Sequence, residues 1–233
     1  AVDAATVRHA SRRIVLCELR LRRFDAALEA ADDYIGRMAG TPFEARACRM
    51  TGNLWLNIPH WGTRSGGTFH RDQWQQGIQV RSWRHDKAKA VAYLEAARDL
   101  YAAWDTPEKA SALVAALEEK GAATWHEERL DCLFDLAGAC ARFGIFESGW
   151  SFWYGWWAER DDFTADTAGE DDFDEYYGEW ELRRKRPTGL RVGPDGKPIF
   201  PSKPAAWSPE LEDDQKILWL LQEIRDLDRS ENA

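Results

Sequence analysis

His60, His70 and His85, with Asp72 and Asp86 nearby in the chain, supply the imidazole nitrogens and carboxylate oxygens that ligate zinc and other transition metals. Their spacings of ten and fifteen residues match no metal-binding motif. His126-Glu127-Glu128-Arg129-Leu130 opens like the helix of a zinc protease, but the second His, four residues on, is missing. A calcium loop needs its Gly sixth, and Gly169 in that place puts Thr164, Asp166 and Ala168 where three acids belong, so that register fails. There is no Gly-rich phosphate loop, no Gly-x-Ser-x-Gly elbow and no Cys with a His partner in a catalytic signature. The sequence therefore predicts no catalytic residues, no metal and no cofactor, and a metal-dependent enzyme around the three histidines ranks third among the readings it allows.

The histidines sit in a segment dense in Trp, His, Arg and Gly that spans residues 57–85. Connections in compact domains are usually far shorter, and a long one between strongly helical flanks reads as a binding feature on a scaffold. Its candidate binding residues are His60, Trp61, Arg64, His70, Arg71, Trp74, Arg81 and Arg84. Trp61, Phe69, Trp74 and Trp83 are expected to pack onto neighbouring helices, and His60 and His70 to pin the backbone. Arg64, Arg71, Arg81 and Arg84 would then form a surface ridge for an acidic or aromatic partner segment. The acidic residues of 161–181 are its internal candidate partner. A small-ligand or carbohydrate site is the second reading, because exposed indoles stack on sugars.

The elements that must position this insert read as helices. Val7, Ala10, Ile14, Cys17, Leu21 and Phe24 recur three and four residues apart and predict one apolar stripe on a first helix. Leu28, Ala31 and Ile35 offer a partner stripe, and nothing near Arg22-Arg23 forbids one longer helix. Thr41-Pro42-Phe43-Glu44 marks a new start, followed by Phe43, Ala47, Met50 and Leu54. Asp86 is expected to cap a helix bearing Ala90, Leu94, Ala97, Tyr101 and Trp104. Asp105-Thr106-Pro107-Glu108 predicts another, stopped at Gly121, and the capping box Thr124-Trp125-His126-Glu127 opens one through Leu130, Leu133, Ala137 and Cys140. No strand alternation competes up to residue 159. The echo between Arg23-Phe24-Asp25-Ala26-Ala27 and Ile145-Phe146-Glu147-Ser148-Gly149 resembles the turn of a tetratricopeptide helical hairpin.

The C-terminal third differs. Residues 145–159 crowd Trp150, Phe152, Trp153, Tyr154, Trp156 and Trp157 together, and 171–186 places acids first and bases last, as the helix dipole favours. Residues 190–200 predict a small β-hairpin around Gly193-Pro194-Asp195-Gly196-Lys197. Ser208-Pro209 is expected to cap a terminal helix with Ile217, Leu221 and Ile224. The fold class is thus all-α: irregular tetratricopeptide-like hairpins with one long ordered insert and a small C-terminal β-hairpin. One domain over 1–233 is expected, with helical repeats at 1–56 and 86–160, the insert at 57–85, and the acidic segment, hairpin and terminal helix at 161–233.

Charge and cysteine usage narrow the partners. The net charge of −9 is concentrated in residues 159–181, which carry −10, so the remainder is close to neutral and argues against nucleic acid. No apolar run reaches the roughly 18 residues of a membrane span, so membrane insertion is not expected. Cys17, Cys48, Cys132 and Cys140 lack Cys-x-x-Cys spacing and read as buried free thiols. The opening Ala1-Val2-Asp3 is read as that of a processed or excised fragment.

Leu56-Asn57-Ile58-Pro59-His60-Trp61-Gly62, Gly66-Gly67-Thr68-Phe69-His70-Arg71, Gln76-Gly77, the helix with Tyr93-Leu94 and Ala97, and Gly193-Pro194-Asp195-Gly196-Lys197-Pro198 together resemble the N-terminal helical region of large bacterial alpha-2-macroglobulin-like proteins, as does the Trp-rich terminal helix. That resemblance implies an extracytoplasmic location and a protein-facing role within a larger envelope-associated protease trap. No Cys here opens the family's Cys-x-Glu-Gln thioester, so trapping itself would lie in downstream domains. Taken together the sequence predicts a non-catalytic protein- or peptide-recognition or scaffolding module, its partner a protein or the downstream domains of the same polypeptide.

Overall fold

The computed structural model describes residues 4–104, 124–141 and 203–231. The described residues are mostly helical, with one small antiparallel sheet among them. Six helices are described: α1 (Ala4–Arg20), α2 (Phe24–Met38), α3 (Phe43–Asn57), α4 (Trp83–Ala103), α5 (Trp125–Ala141) and α6 (Asp213–Glu231). Three strands, β1 (Trp61–Ser65), β2 (Thr68–Arg71) and β3 (Ile78–Arg81), lie between α3 and α4. The helix expected over 105–121, the aromatic run 145–159, the acidic stretch 161–181, the helix expected over 171–186 and the hairpin at 190–200 fall outside the described residues.

The helices stack in chain order, α1 on α2, α2 on α3, α3 on α4, α4 on α5 and α5 on α6. Most of the expected apolar stripes are the buried faces: Leu28 and Ala31 on α2, Phe43, Ala47 and Leu54 on α3, Ala90, Leu94, Ala97 and Tyr101 on α4, Leu133, Ala137 and Cys140 on α5. The tightest crossing is α3 against α4, where a Cβ on Gly52 would stand 2.7 Å from Leu94 Cγ. Only glycine allows that approach.

α1 and α2 are separate helices, as a partner stripe requires, because Arg22 turns into the left-handed region at φ 57°. Other expectations are corrected. The buried line of α1 is Arg8, Ser11 and Val15, whereas Ala10, Ile14, Cys17 and Leu21 face outward. Arg8 accounts for the rotation: its guanidinium lies 4.5 Å over the Phe43 ring, so a long cationic side chain covers aromatic surface that an aliphatic stripe was expected to fill. Cys17 is consequently exposed, while the other three thiols are buried. The terminal helix begins at Asp213 rather than Ser208, whose hydroxyl instead accepts from the Glu210 amide in a turn. At the start of α5 the capping box is closed both ways, Thr124 N to Glu127 Oε2 at 2.6 Å and Glu127 N to Thr124 Oγ1 at 3.2 Å.

The insert is not an irregular loop but a three-stranded antiparallel sheet in the order β2-β1-β3. Ser65 pairs with Thr68 across a two-residue turn in which Gly66 and Gly67 have φ of 59° and 80°. A tight hairpin turn with two positive φ values needs residues that adopt them without strain. Residues directly opposite one another share a face, so Gly62, Arg64, Phe69, Arg71, Ile78 and Val80 occupy one side of the sheet. Trp61, Thr63, His70, Gln79 and Arg81 occupy the other. The first side packs towards the helices through Arg71 and Val80, both buried. Gly62 lets the Phe69 ring cross β1, since a Cβ there would be 2.8 Å from it and 2.3 Å from His70 O.

Candidate functional site

The base of the sheet is fixed by a buried carboxylate. Asp86, in the first turn of α4, is fully buried and accepts from Arg71 Nη1 at 2.7 Å, Arg71 Nη2 at 3.1 Å and Ser82 Oγ at 2.6 Å. His60 Nδ1 lies 2.8 Å from the same Oδ2, and His85 Nδ1 is 3.3 Å from Oδ1. Burial pushes the Asp86 carboxyl up, but the hydrogen bonds from His60, Arg71 and Ser82 and the Arg71 charge outweigh it and hold the group below the usual carboxylate range. Arg71 also donates to Pro59 O at 2.6 Å and lies between the Trp55 and Phe69 rings, 5.6 and 5.2 Å from their centroids. The Trp83 ring closes the cluster by stacking on His60 at 3.8 Å.

This arrangement changes the expected site. Arg71 is not part of a surface ridge: it is 4% exposed and neutralises Asp86. Asp86 is not an N-cap but the anchor of the sheet. His60 meets the Asp86 carboxylate through Nδ1. Trp74, expected to pack inward, is 75% exposed, and Trp83 is 38% exposed. Arg64 shares the Arg71 side, half-buried towards the hairpin tip; Arg81 is on the opposite side, and Arg84 is exposed on α4. The four arginines therefore do not form one ridge. Trp61, His70, Trp74 and Arg81 are brought to the outward side, with the Trp61 and Trp74 centroids 5.1 Å apart. Among the described residues, no group of three or more His, Cys, Asp or Glu side chains is placed to hold a metal ion. No described helix is long and apolar enough to cross a membrane.

A second feature is a cleft of about 450 Å³ lined from α1 by Arg8, His9 and Arg12, from α2 by Tyr34, from α3 by Arg46, Arg49, Met50 and Asn53, from α4 by Tyr101, and from α5 by Glu128 and Asp131. Alternate helices α1, α3 and α5 supply most of the wall, as expected where helix hairpins stack and turn the same face inward. Arg46 and Arg49 are matched to acids. Arg46 grips Glu128 with both Nε, at 2.6 Å, and Nη2, and Tyr101 OH donates to the same carboxylate at 3.3 Å. Arg49 Nε donates to Asp135 Oδ2 at 2.6 Å, where Asn53 Nδ2 also donates at 2.7 Å. Arg8 is held over Phe43, and Arg12 is exposed. The wall carries four guanidinium groups against Glu128, Asp131 and the Asp135 that holds Arg49, so the cleft keeps an excess of one positive charge within an acidic protein. Burial pushes the Tyr34 hydroxyl up although Arg8, Arg12 and Arg46 draw it down, so it stays protonated at neutral pH and can donate to an anion.

The chain matches no known protein family, no curated protein and no solved structure. What the site can do must therefore be argued from its chemistry. Glu128 is committed to a two-point arginine contact and Asp135 is shared between Arg49 and Asn53, which suits these acids to structure rather than proton transfer. The arginine cleft was missed in the sequence because its residues are scattered over five helices. The available signal was Arg8 and Arg12, four apart, and Arg46, Arg49 and Asn53, three and four apart: each set lies on one helical face.

Proposed function

We propose that this chain is a non-catalytic peptide-recognition module, tetratricopeptide-like in the use of alternate helices to line one groove. It takes an acidic segment of a protein partner, or of a downstream domain of the same polypeptide, into the cleft between α1, α3 and α5. The observation that carries this reading is the gathering of four guanidinium groups against three carboxylates at a cleft of about 450 Å³, with Arg12 at its accessible edge. Guanidinium forks match carboxylates in geometry as well as charge. Acidic peptide fits better than nucleic acid, since a chain of net charge −9 opposes a continuous phosphate backbone, while a few carboxylates suffice to fill the cleft. The resemblance of the insert to the helical region of envelope-associated proteins supports an extracytoplasmic setting for this role.

Calorimetric titration with a blocked hexaglutamate peptide tests it, with hexaglutamine and a single-stranded oligonucleotide as controls. Hexaglutamate is expected to bind at low salt and to weaken strongly between ~20 and ~300 mM salt, and Arg12→Glu to cost about fivefold or more in affinity. Equal binding of hexaglutamine, tighter binding of the oligonucleotide, or an unchanged Arg12→Glu variant would each remove the proposal.

A further inference from the structure

We propose that the outward side of the sheet binds an oligosaccharide, with a pyranose ring laid against the indoles of Trp61 and Trp74. This surface is separate from the arginine cleft and does not depend on it. Trp74 is the most exposed large apolar side chain described, at 75%, yet the turn that carries it is firmly built. Thr63, fully buried, donates through Oγ1 to Gln73 O at 2.7 Å and accepts from Gln79 Nε2 at 2.8 Å and Gln75 N at 3.4 Å. Asp72 N donates to Trp61 O at 2.9 Å, and the Asp72 carboxylate is paired with Arg22. At the other end Gly77, at φ 153°, brings the chain so close to β1 that a Cβ would be 2.3 Å from Arg64 O. The backbone is thus clamped onto β1 from both ends while the indole it carries is held out in water.

A water-exposed indole on an anchored turn, with a second indole beside it, leaves flat apolar ring surface that a ligand can cover. Its surroundings narrow the ligand. The Trp61 and Trp74 rings are tilted by 40°, giving an angled aromatic wall rather than a slot for a flat base. Gln73, Gln75 and Gln76 are exposed around it, and each amide offers both donors and an acceptor. Arg81, directly across from Trp61, adds further donors. Ring C–H bonds for the indoles and hydroxyls that both give and receive hydrogen bonds are the combination a pyranose presents. The side chains of a carboxylate-rich peptide offer acceptors only and bring no flat C–H face to cover the indoles. A single-stranded nucleic acid needs a cationic track beside its stacking rings, and here the turn around the indole is made of amides.

The test is calorimetric titration of the whole chain with three neutral hexasaccharides, cellohexaose, chitohexaose and maltohexaose. At least one is expected to bind more tightly than about 1 mM, with Trp74→Ala losing tenfold or more and Arg12→Glu, on the other surface, unchanged. Since Trp74 packs little in the folded chain, its loss leaves the thermal midpoint close to that of the parent, which is checked on the same samples. Absence of binding to all three sugars overturns the proposal, as does a Trp74→Ala variant that binds like the parent. It is equally overturned if the parent sediments as a dimer that Trp74→Ala converts to monomer, since the indole would then serve self-association.

Discussion

Replacing Asp86 by Ala is expected to be among the most damaging single changes in the chain, although the residue lies on no exposed surface. The carboxylate takes two hydrogen bonds from Arg71, one from Ser82 and a close contact from His60, all within 3.1 Å. With it gone, the Arg71 guanidinium keeps Pro59 O and Ser82 Oγ, while its Nε, which has no hydrogen-bond partner, has only Asp25 Oδ1 at 3.7 Å. A cation 4% exposed would then lack a close counter-charge, and breaking a buried pair from one side costs about 3–5 kcal/mol. Against a total stability of about 5–15 kcal/mol for a domain, that is a large share. The assay is denaturant unfolding followed by circular dichroism and tryptophan fluorescence, with Arg71→Met and the double variant Arg71→Met/Asp86→Leu alongside. Removing both charges should recover most of what either single change loses, since the double variant strands neither ion. An Asp86→Ala protein within about 1 kcal/mol of the parent, or a double variant no better than the worse single one, would refute the reasoning.

Three further outcomes follow from the same geometry. Because the folded Asp86 carboxyl is held low, its contribution is complete above its unfolded value of about 4 and lost as pH falls through the folded value; the stability gap between parent and Asp86→Asn, measured by melts from pH 7 to 2, should be full at neutrality and close in acid. Cys17 alone among the four thiols is exposed, whereas burial pushes Cys48 and Cys140 up to about 11 and Cys132 up to about 12, so a thiol reagent should titrate one group in the native protein and four after denaturation. Gly62→Ala should cost about 1–3 kcal/mol by thermal melt, because the added methyl meets the Phe69 ring and His70 O, while Gly36→Ala, with open space and a helical backbone, should be neutral or slightly stabilising.

The helices were legible in the sequence because their apolar spacing and their caps agree. Leu94, Ala97 and Tyr101 bury where the period puts them, and the Thr124–Glu127 box forms as written. The first helix misled, since its conspicuous stripe of Ala10, Ile14, Cys17 and Leu21 faces out and an arginine takes the inner line. The sheet was hidden for a related reason. Its inward positions include Arg71 and Gly62, and its most buried outward position is Thr63, so no alternation of apolar and polar residues marks the strands. The Gly66-Gly67 pair between Arg64-Ser65 and Thr68-Phe69 was the one local sign of a hairpin. Of the eight expected site residues, Trp61, His70, Trp74 and Arg81 do share a surface. Arg71 departs from expectation because its partner Asp86 is fifteen residues away, and a charge enters the interior only once it is paired.

The two ends of the sheet return to one point. Ser82 N donates to His60 O at 3.0 Å, so the chain leaves α3 and re-enters α4 through a neck one hydrogen bond wide. In engineering terms this is a detachable cassette, and the outgoing and incoming chains already stand close enough for a short linker to replace it. The cassette nevertheless leaves a debt in the scaffold, because Asp86 belongs to α4 while the charge that satisfies it belongs to β2. A shortened chain can keep its helices only if the aspartate leaves with the sheet, and a foreign loop grafted onto the same neck must carry a cation to the position that Arg71 holds.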